Sequence, residues 1–286
     1  MTDPFRDPRV RALVRLALAE DVGRGDATTI AIIPPARQAR ARIEAREAVI
    51  VAGLPIAPVL FEEHRAEAEI DIEVIEGERA AKGATLASID GSASSILEVE
   101  RTLLNFLQRM CGIATLTRRY VEAIRGTTAR IVDTRKTIPG WRALDKYAVR
   151  VGGGTNHRFG LDDGILIKDN HLAAAGGVAR AIERARCGAP HHLMRIEVEC
   201  ETLEDVAQAI AGRVDAILLD NMDLDTMREA VRRARAAIPA IVIEASGGIT
   251  LERARPVAET GVDLISVGAL THSAPAADLS LELEPG

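Results

Sequence analysis

Lysine is scarce in this chain and sits where chemistry would want it. Of 36 Lys and Arg residues only four are lysine (Lys82, Lys136, Lys146 and Lys168), and three of these fall between Asp133 and His171. That segment reads DTRKTIPGWRALDKYAVRVGGGTNHRFGLDDGILIKDNH. A compact ammonium and a planar guanidinium are not interchangeable, so lysine concentrated here marks positions where shape matters as well as charge. The same segment holds Arg135, Arg142, His157, Arg158 and the run Gly152-Gly153-Gly154. Dense positive charge beside permissive backbone suits an anionic small molecule. A solvated basic surface run would not interleave with glycines, Asn156 and apolar residues in this way.

Three groups of residues share the work. The cations are Arg135, Lys136, His157, Arg158 and Lys168. Each cation about 4 Å from a carboxylate contributes roughly 4 kcal/mol at an effective dielectric near 20, so several together imply a ligand with more than one negative charge. Arginine adds a bidentate fork for carboxylate or phosphate. The acids are Glu199 and Asp220, at the ends of successive apolar runs. In a cationic pocket they predict a bound Mg2+ or a developing positive charge on the substrate. The alternative is an internal salt bridge with the cations nearby. Magnesium takes one or two carboxylates plus substrate phosphates, which suits the pair. The third group, Ser246-Gly247-Gly248 and Gly268, follows the last two apolar runs. Backbone N–H groups of such loops cradle phosphate, and glycine lets the ligand approach closely.

These side chains need a scaffold that converges on one mouth. From about Ala129 short apolar runs recur: Arg130–Asp133, Gly164–Ile167, Met194–Val198, Ala216–Leu219, Ile241–Ile243 and Leu264–Val267. Helical patterns over 203–210, 222–237 and 251–260 separate the later ones. Repeated βα units predict a parallel sheet. Nearly every run is followed by charged, polar or glycine residues: Arg135-Lys136, Lys168-Asp169-Asn170, Glu199, Asp220-Asn221, Ser246-Gly247-Gly248 and Gly268. An open doubly wound sheet would place ligand at one switch point only, whereas a barrel gathers all its strand ends at one face. Six strands predict an incomplete β/α barrel of six to seven strands.

The first third has a different rhythm. Residues 8–20 and 55–65 read as helices, 39–51 and 68–75 as strands, and Glu20–Thr29 as a turn-rich acidic segment. The GERAAKGATLASIDG stretch (77–91) is similar to the hairpins of biotinyl-type carriers, with Lys82 in its KG step, but no modification-site neighbour accompanies it. Residues 98–124 are helical and apolar enough to require a packing partner, with Gly112 expected to split them into two helices. An α+β open-faced sandwich at 1–112, joined by 274–286, is therefore expected ahead of a barrel at 113–273.

Composition excludes other classes. The net charge of -6 makes the basic cluster local, and 2% aromatics leave no stacking platform, so nucleic acid is not an expected partner. Cys111, Cys187 and Cys200 have no paired or CxxC spacing, as expected of free thiols in a reducing compartment. No apolar run approaches the ~20 residues that span a bilayer. The N-terminus has no signal-peptide hydrophobic region, so a cytoplasmic location away from membranes is expected.

The motifs, in order, resemble the quinolinate phosphoribosyltransferase family. They are EDVGRGDATT (20–29), ERTLLNFLQRMCGIAT (100–115), RKTIPGWRALDKYAVRVGGGTNHR (135–158), IKDNH (167–171), EVE (197–199), LLDN (218–221), EASGGI (244–249) and VGALTHS (267–273). The resemblance spans nearly the whole chain. It implies transfer of phosphoribosyl from 5-phosphoribosyl-1-pyrophosphate (PRPP) to quinolinate, with loss of CO2, in NAD biosynthesis. By it, Arg135, His157, Arg158 and Lys168 grip the two carboxylates, with Arg101 contributed by a partner subunit of a homodimer. Lys136 binds donor phosphate, and Glu199 and Asp220 meet the ribose hydroxyls and Mg2+. Ser246, Gly247 and Gly268 hold the 5-phosphate, and His171 of IKDNH joins the substrate-binding set. Lys136, Lys168, Glu199 and Asp220 are the catalytic candidates. Assembly beyond the dimer is left open. Two other readings remain at this point: a related barrel enzyme for another pyridine carboxylate, and a Schiff-base lyase using Lys168.

Overall fold

A computed structural model describes residues 3–189, 191 and 193–284. The chain forms two compact units. The first contains residues 1–118, 136–153 and 269–286, and the second contains 119–135 and 154–268.

In the first unit a four-stranded antiparallel sheet has the order Leu279–Leu283, Gln38–Ala45, Thr85–Ser92, Ala68–Ile72. Alternation along Gln38–Ala45 buries Ala41, Ile43 and Ala45, while Arg40 and Arg42 face solvent. The C-terminal strand returns to this sheet, with Ala41 opposite Leu283 and Ala45 opposite Leu279. A 31-residue helix, Ala93–Ala123, starts in this unit. It buries Ile96, Val99, Leu103, Leu107, Met110 and Ala114, a stripe at helical spacing. The expected break at Gly112 is absent, and one continuous helix runs through it. A Cβ there would collide with the carbonyl oxygen of Pro275. Glycine in mid-helix costs about 1 kcal/mol relative to alanine, and here the missing side chain admits a neighbouring backbone instead. The helix Arg142–Val151 packs in the same unit, where Arg109 forms a fork on the buried Asp145 at 2.9 and 2.8 Å.

In the second unit six parallel strands take the spatial order Arg130–Val132, Leu264–Ser266, Val242–Ser246, Ala216–Asp220, Ile196–Cys200, Ile165–Ile167. In sequence order these are the first, sixth, fifth, fourth, third and second barrel strands. The first and second lie at opposite ends of the ladder, so the sheet winds round without closing. Thr155 extends the free edge by a single parallel bridge to Val132. An α+β sandwich unit and an incomplete barrel unit are the architecture that the sequence rhythm predicts.

The βα loops are short because polar residues after the strands also start the helices. Thr202 caps Leu203–Ala211, accepting from the Asp205 N–H while the Asp205 carboxylate accepts from the Thr202 N–H at 3.0 Å. Asp223 and Thr250 cap Leu224–Ala237 and Leu251–Ala258 in the same way. The strands run further than the apolar runs suggest. Glu199, Asp220 and Ser246 lie inside the ladder, with Ser246 in register with Asp220 and Glu199 with Leu218. Backbone hydrogen bonds therefore fix their Cα positions.

Candidate active site

Asp133 follows the first barrel strand and is fully buried. Its carboxylate accepts from the His157 N–H at 2.8 Å and from Asn156 Nδ2 at 2.6 Å. With the Thr155 N–H donating to the Ile131 carbonyl at 2.8 Å, this pins the TNHR loop against the strand end. A buried carboxylate must be satisfied, and orienting this loop is how the fold satisfies it.

The pinned loop sets Arg158 beside Arg135. Arg158 Nη1 donates to the Gly164 carbonyl at 2.9 Å. Its Nε, like that of Arg135, is buried without a hydrogen-bond partner. Burial, then repulsion from Arg135, pulls the Arg158 pKa below its usual value, while Glu197 and Asp163 act the other way. Two like charges held together with buried donors unpaired form a site for an anion with two acceptor groups.

His157 lies against two inward carboxylates. Its Nε2 is 3.2 Å from Glu197 Oε2 and 3.4 Å from Glu244 Oε2. Burial opposes charge on the ring, but the bonds to Glu197 and then Glu244 outweigh it and raise the pKa to about 10. The Arg158 N–H meets the other ring nitrogen, Nδ1, at 2.9 Å.

Lys168 follows the second strand, and its Nζ lies 2.8 Å from Glu199 Oε2. Internal pairing of acid with cation is thus present. Asp220, partly exposed at the end of the fourth strand, accepts from Asn221 Nδ2 at 2.6 Å. His171 accepts the Lys168 N–H at Nδ1 (3.0 Å), closing the turn that starts the helix Asp169–Ala175. Ser246 ends the fifth strand, and its carbonyl accepts from the Asn221 N–H at 3.1 Å. Gly247 then adopts φ +90°, with its hydrogen facing Asn221 at a distance that admits no side chain. Gly268, partly buried, follows the sixth strand.

The second unit therefore carries Arg135, His157, Arg158, Lys168, His171, Glu199, Asp220, Ser246, Gly247 and Gly268. Arg101 and Lys136 belong to the first unit. Arg101 is exposed on the long helix, and the Lys136 carbonyl accepts from Thr271 Oγ1 at 2.8 Å. Asp133, Glu197 and Glu244 carry no role in the sequence reading. Their one signal was an acid inside, ending or directly following a mostly apolar run.

Residues 26–111 match the quinolinate phosphoribosyl transferase N-terminal domain, and residues 113–282 match the C-terminal domain. The chain belongs to the quinolinate phosphoribosyltransferase family. A probable carboxylating nicotinate-nucleotide pyrophosphorylase of Synechocystis is 45% identical over 266 residues, 93% of this chain and 90% of that protein. The carboxylating nicotinate-nucleotide pyrophosphorylase of Mycobacterium leprae is 43% identical over 96% of both chains. The crystal structure of nicotinate-nucleotide pyrophosphorylase from Francisella tularensis superposes with a TM-score of 0.90 at 36% identity, covering 99% of this chain and 100% of that one. In this family member the paired guanidiniums, the acids at strand ends and the tight Gly247 turn all lie on one barrel unit.

Proposed function

We propose that the chain transfers the phosphoribosyl group of PRPP to the ring nitrogen of quinolinate, giving nicotinate mononucleotide, pyrophosphate and CO2 in NAD biosynthesis. The observation that carries this reading is the pair Arg135 and Arg158, held side by side with buried, unpaired Nε donors. A dicarboxylate satisfies both at once, whereas a monocarboxylate such as nicotinate leaves one cation desolvated and unanswered, at a cost of about 1–3 kcal/mol.

The residues divide the chemistry as follows. Arg135 and Arg158, with His157 and Lys168, hold the two carboxylates and aim the ring nitrogen. Its lone pair bonds to ribose C1 as the C1–oxygen bond breaks, the electron pair leaving with pyrophosphate. Positive charge develops on the ribose, and the carboxylates of Glu199 and Asp220 stabilise it. Lys136 and the loops at Ser246, Gly247 and Gly268 hold donor phosphates. The new pyridinium then accepts the pair released when the bond to the 2-carboxylate breaks. CO2 leaves, and a solvent proton ends on that carbon.

Carboxylate oxygens are the donors that magnesium takes. Lys168 pairs with Glu199, so Asp220 and the donor phosphates would be the main ligands with Glu199 beside them, and Mg2+ would supply charge stabilisation for departing pyrophosphate. Pairing of the Lys168 ammonium with Glu199 speaks against a Schiff-base role, which uses a desolvated amine.

The active form is a homodimer in which Arg101 enters the partner's site, and the sandwich extends over 1–112 with 274–286 while the barrel occupies 113–273. No helix among the described residues is long and apolar enough to cross a membrane, and the enzyme works in the cytoplasm on small molecules, not nucleic acid. The test is to incubate the protein with quinolinate, PRPP and Mg2+, and in parallel with nicotinate. Nicotinate mononucleotide with equimolar CO2 from quinolinate is expected. Turnover of nicotinate alone would refute the reading.

A further inference from the structure

Two carboxylates set against His157, Glu244 buried and Glu197 half-buried, need a reason. Glu244, on the fifth strand, has a side chain 2% exposed, and its Oε2 lies 3.4 Å from His157 Nε2. Glu197, on the third strand, points to the same place. His157 Nε2 and both carboxylates lie within 4.8 Å of one another. Burying charge without compensation is expensive, and a barrel built only for stability would hold apolar side chains here.

We propose that Glu197 and Glu244 are positioning residues: packed at the inner edge of the His157 ring, they fix its Nε2–H and its positive charge, so that His157 stands as a third cation beside Arg135 and Arg158. This inference rests on the reading of the site as a quinolinate pocket. Nε2 must carry a proton, because both of its neighbours are acceptors. The second proton is contested. The Arg158 N–H at Nδ1 suits a bare nitrogen. A charge-assisted bond is roughly twice as strong as a neutral one, so two carboxylates outweigh one main-chain donor.

The other charged groups facing the ring do not reverse this. Asp133 accepts from the His157 main-chain N–H, which adds negative charge nearby, while Arg135 and Arg158 add positive charge on the ligand side. Burial, and then repulsion from Glu197, keep the Glu244 pKa above its usual value, and contact with the imidazolium offsets only part of that rise. The sign follows: with its pKa lifted from 6.5 to about 10, His157 keeps its charge through neutral pH and loses it only as pH rises through about 10. Without one carboxylate the value falls back toward that of an ordinary histidine.

The test uses the full chain, free of ligand, with labelled histidine. His157 is assigned by the resonance lost in His157→Gln and titrated by NMR. The wild type should stay protonated to at least about pH 9, and Glu244→Gln or Glu197→Gln should lower the midpoint by about two units or more. Calorimetry then gives quinolinate Kd for wild type and Glu244→Gln. Their ratio should grow about tenfold between about pH 6 and about pH 9, and Glu244→Asp, which keeps the carboxylate, should restore the wild-type profile. A purely packing role for Glu244 would shift Kd equally at every pH. A constant ratio overturns the proposal. So does a wild-type midpoint below about 7.5, a measurement that needs no variant to fold. A chain that bound no quinolinate would instead overturn the proposed function, and the histidine titration would still decide the state of His157.

Discussion

Replacing Gly247 with alanine tests whether the loop after the fifth strand is a shaped phosphate cradle. Gly247 sits at φ +90°, where an L-residue is strained. An alanine Cβ would overlap Asn221 Oδ1 and lie 2.7 Å from the Asn221 backbone N. The amide oxygen can swing away, but the backbone N cannot, because its N–H is bonded to the Ser246 carbonyl at 3.1 Å. Strain alone costs about 1–2 kcal/mol. The collision must also push the loop outward by several tenths of an ångström to about 1 Å, and misplacement on that scale costs about a hundredfold in rate. Gly248→Ala is the control. Its φ is +55° and the nearest atom to its Cβ would be Arg253 Nη1 at 3.7 Å, so it adds strain without collision. Steady-state kinetics with each substrate varied should show kcat/KM for PRPP falling about a hundredfold in Gly247→Ala and about tenfold or less in Gly248→Ala. Quinolinate affinity should stay within about threefold of wild type in both, since the carboxylate cations lie on other loops. Equal effects of the two variants, or a loss confined to quinolinate, would refute the phosphate assignment.

Lys168→Arg keeps the charge but not the compact head that reaches Glu199 at 2.8 Å, and should lower kcat/KM at least about tenfold. Wild-type kinetics would remove the argument from lysine placement. Glu199→Gln and Asp220→Asn should reduce kcat while quinolinate Kd stays nearly unchanged, because their partners are the ribose and Mg2+. Failure mainly in quinolinate affinity, by calorimetry, would reassign them. Mixing Arg101→Ala with Lys168→Ala after reversible dissociation should return about a quarter of wild-type activity, since random pairing makes half the dimers mixed with one intact site each. An inactive mixture, with mixed dimers confirmed by mass, would show that Arg101 serves its own chain.

The barrel was legible in the sequence because parallel strands buried on both faces must be apolar along their length and polar where they meet the mouth. The cations of the TNHR loop, the acids of EVE and LLDN and the SGG turn stood out for the same reason: charge or glycine at a strand end has no place in a core. Spacing along the chain could not show which of these groups face one another. Gly112 reads as a helix breaker until the backbone at Pro275 is seen to lie against it. Glu199 has the same appearance whether it holds metal or pairs with Lys168, and only the folded ladder sets the ammonium 2.8 Å away. Asp133, Glu197 and Glu244 lie far apart in sequence, yet all three bear on His157: one through its main chain, two through its ring. Local composition determined the elements and the chemical inventory. Long-range packing decided the pairings, because electrostatics and close contact act through space and leave no periodicity to read.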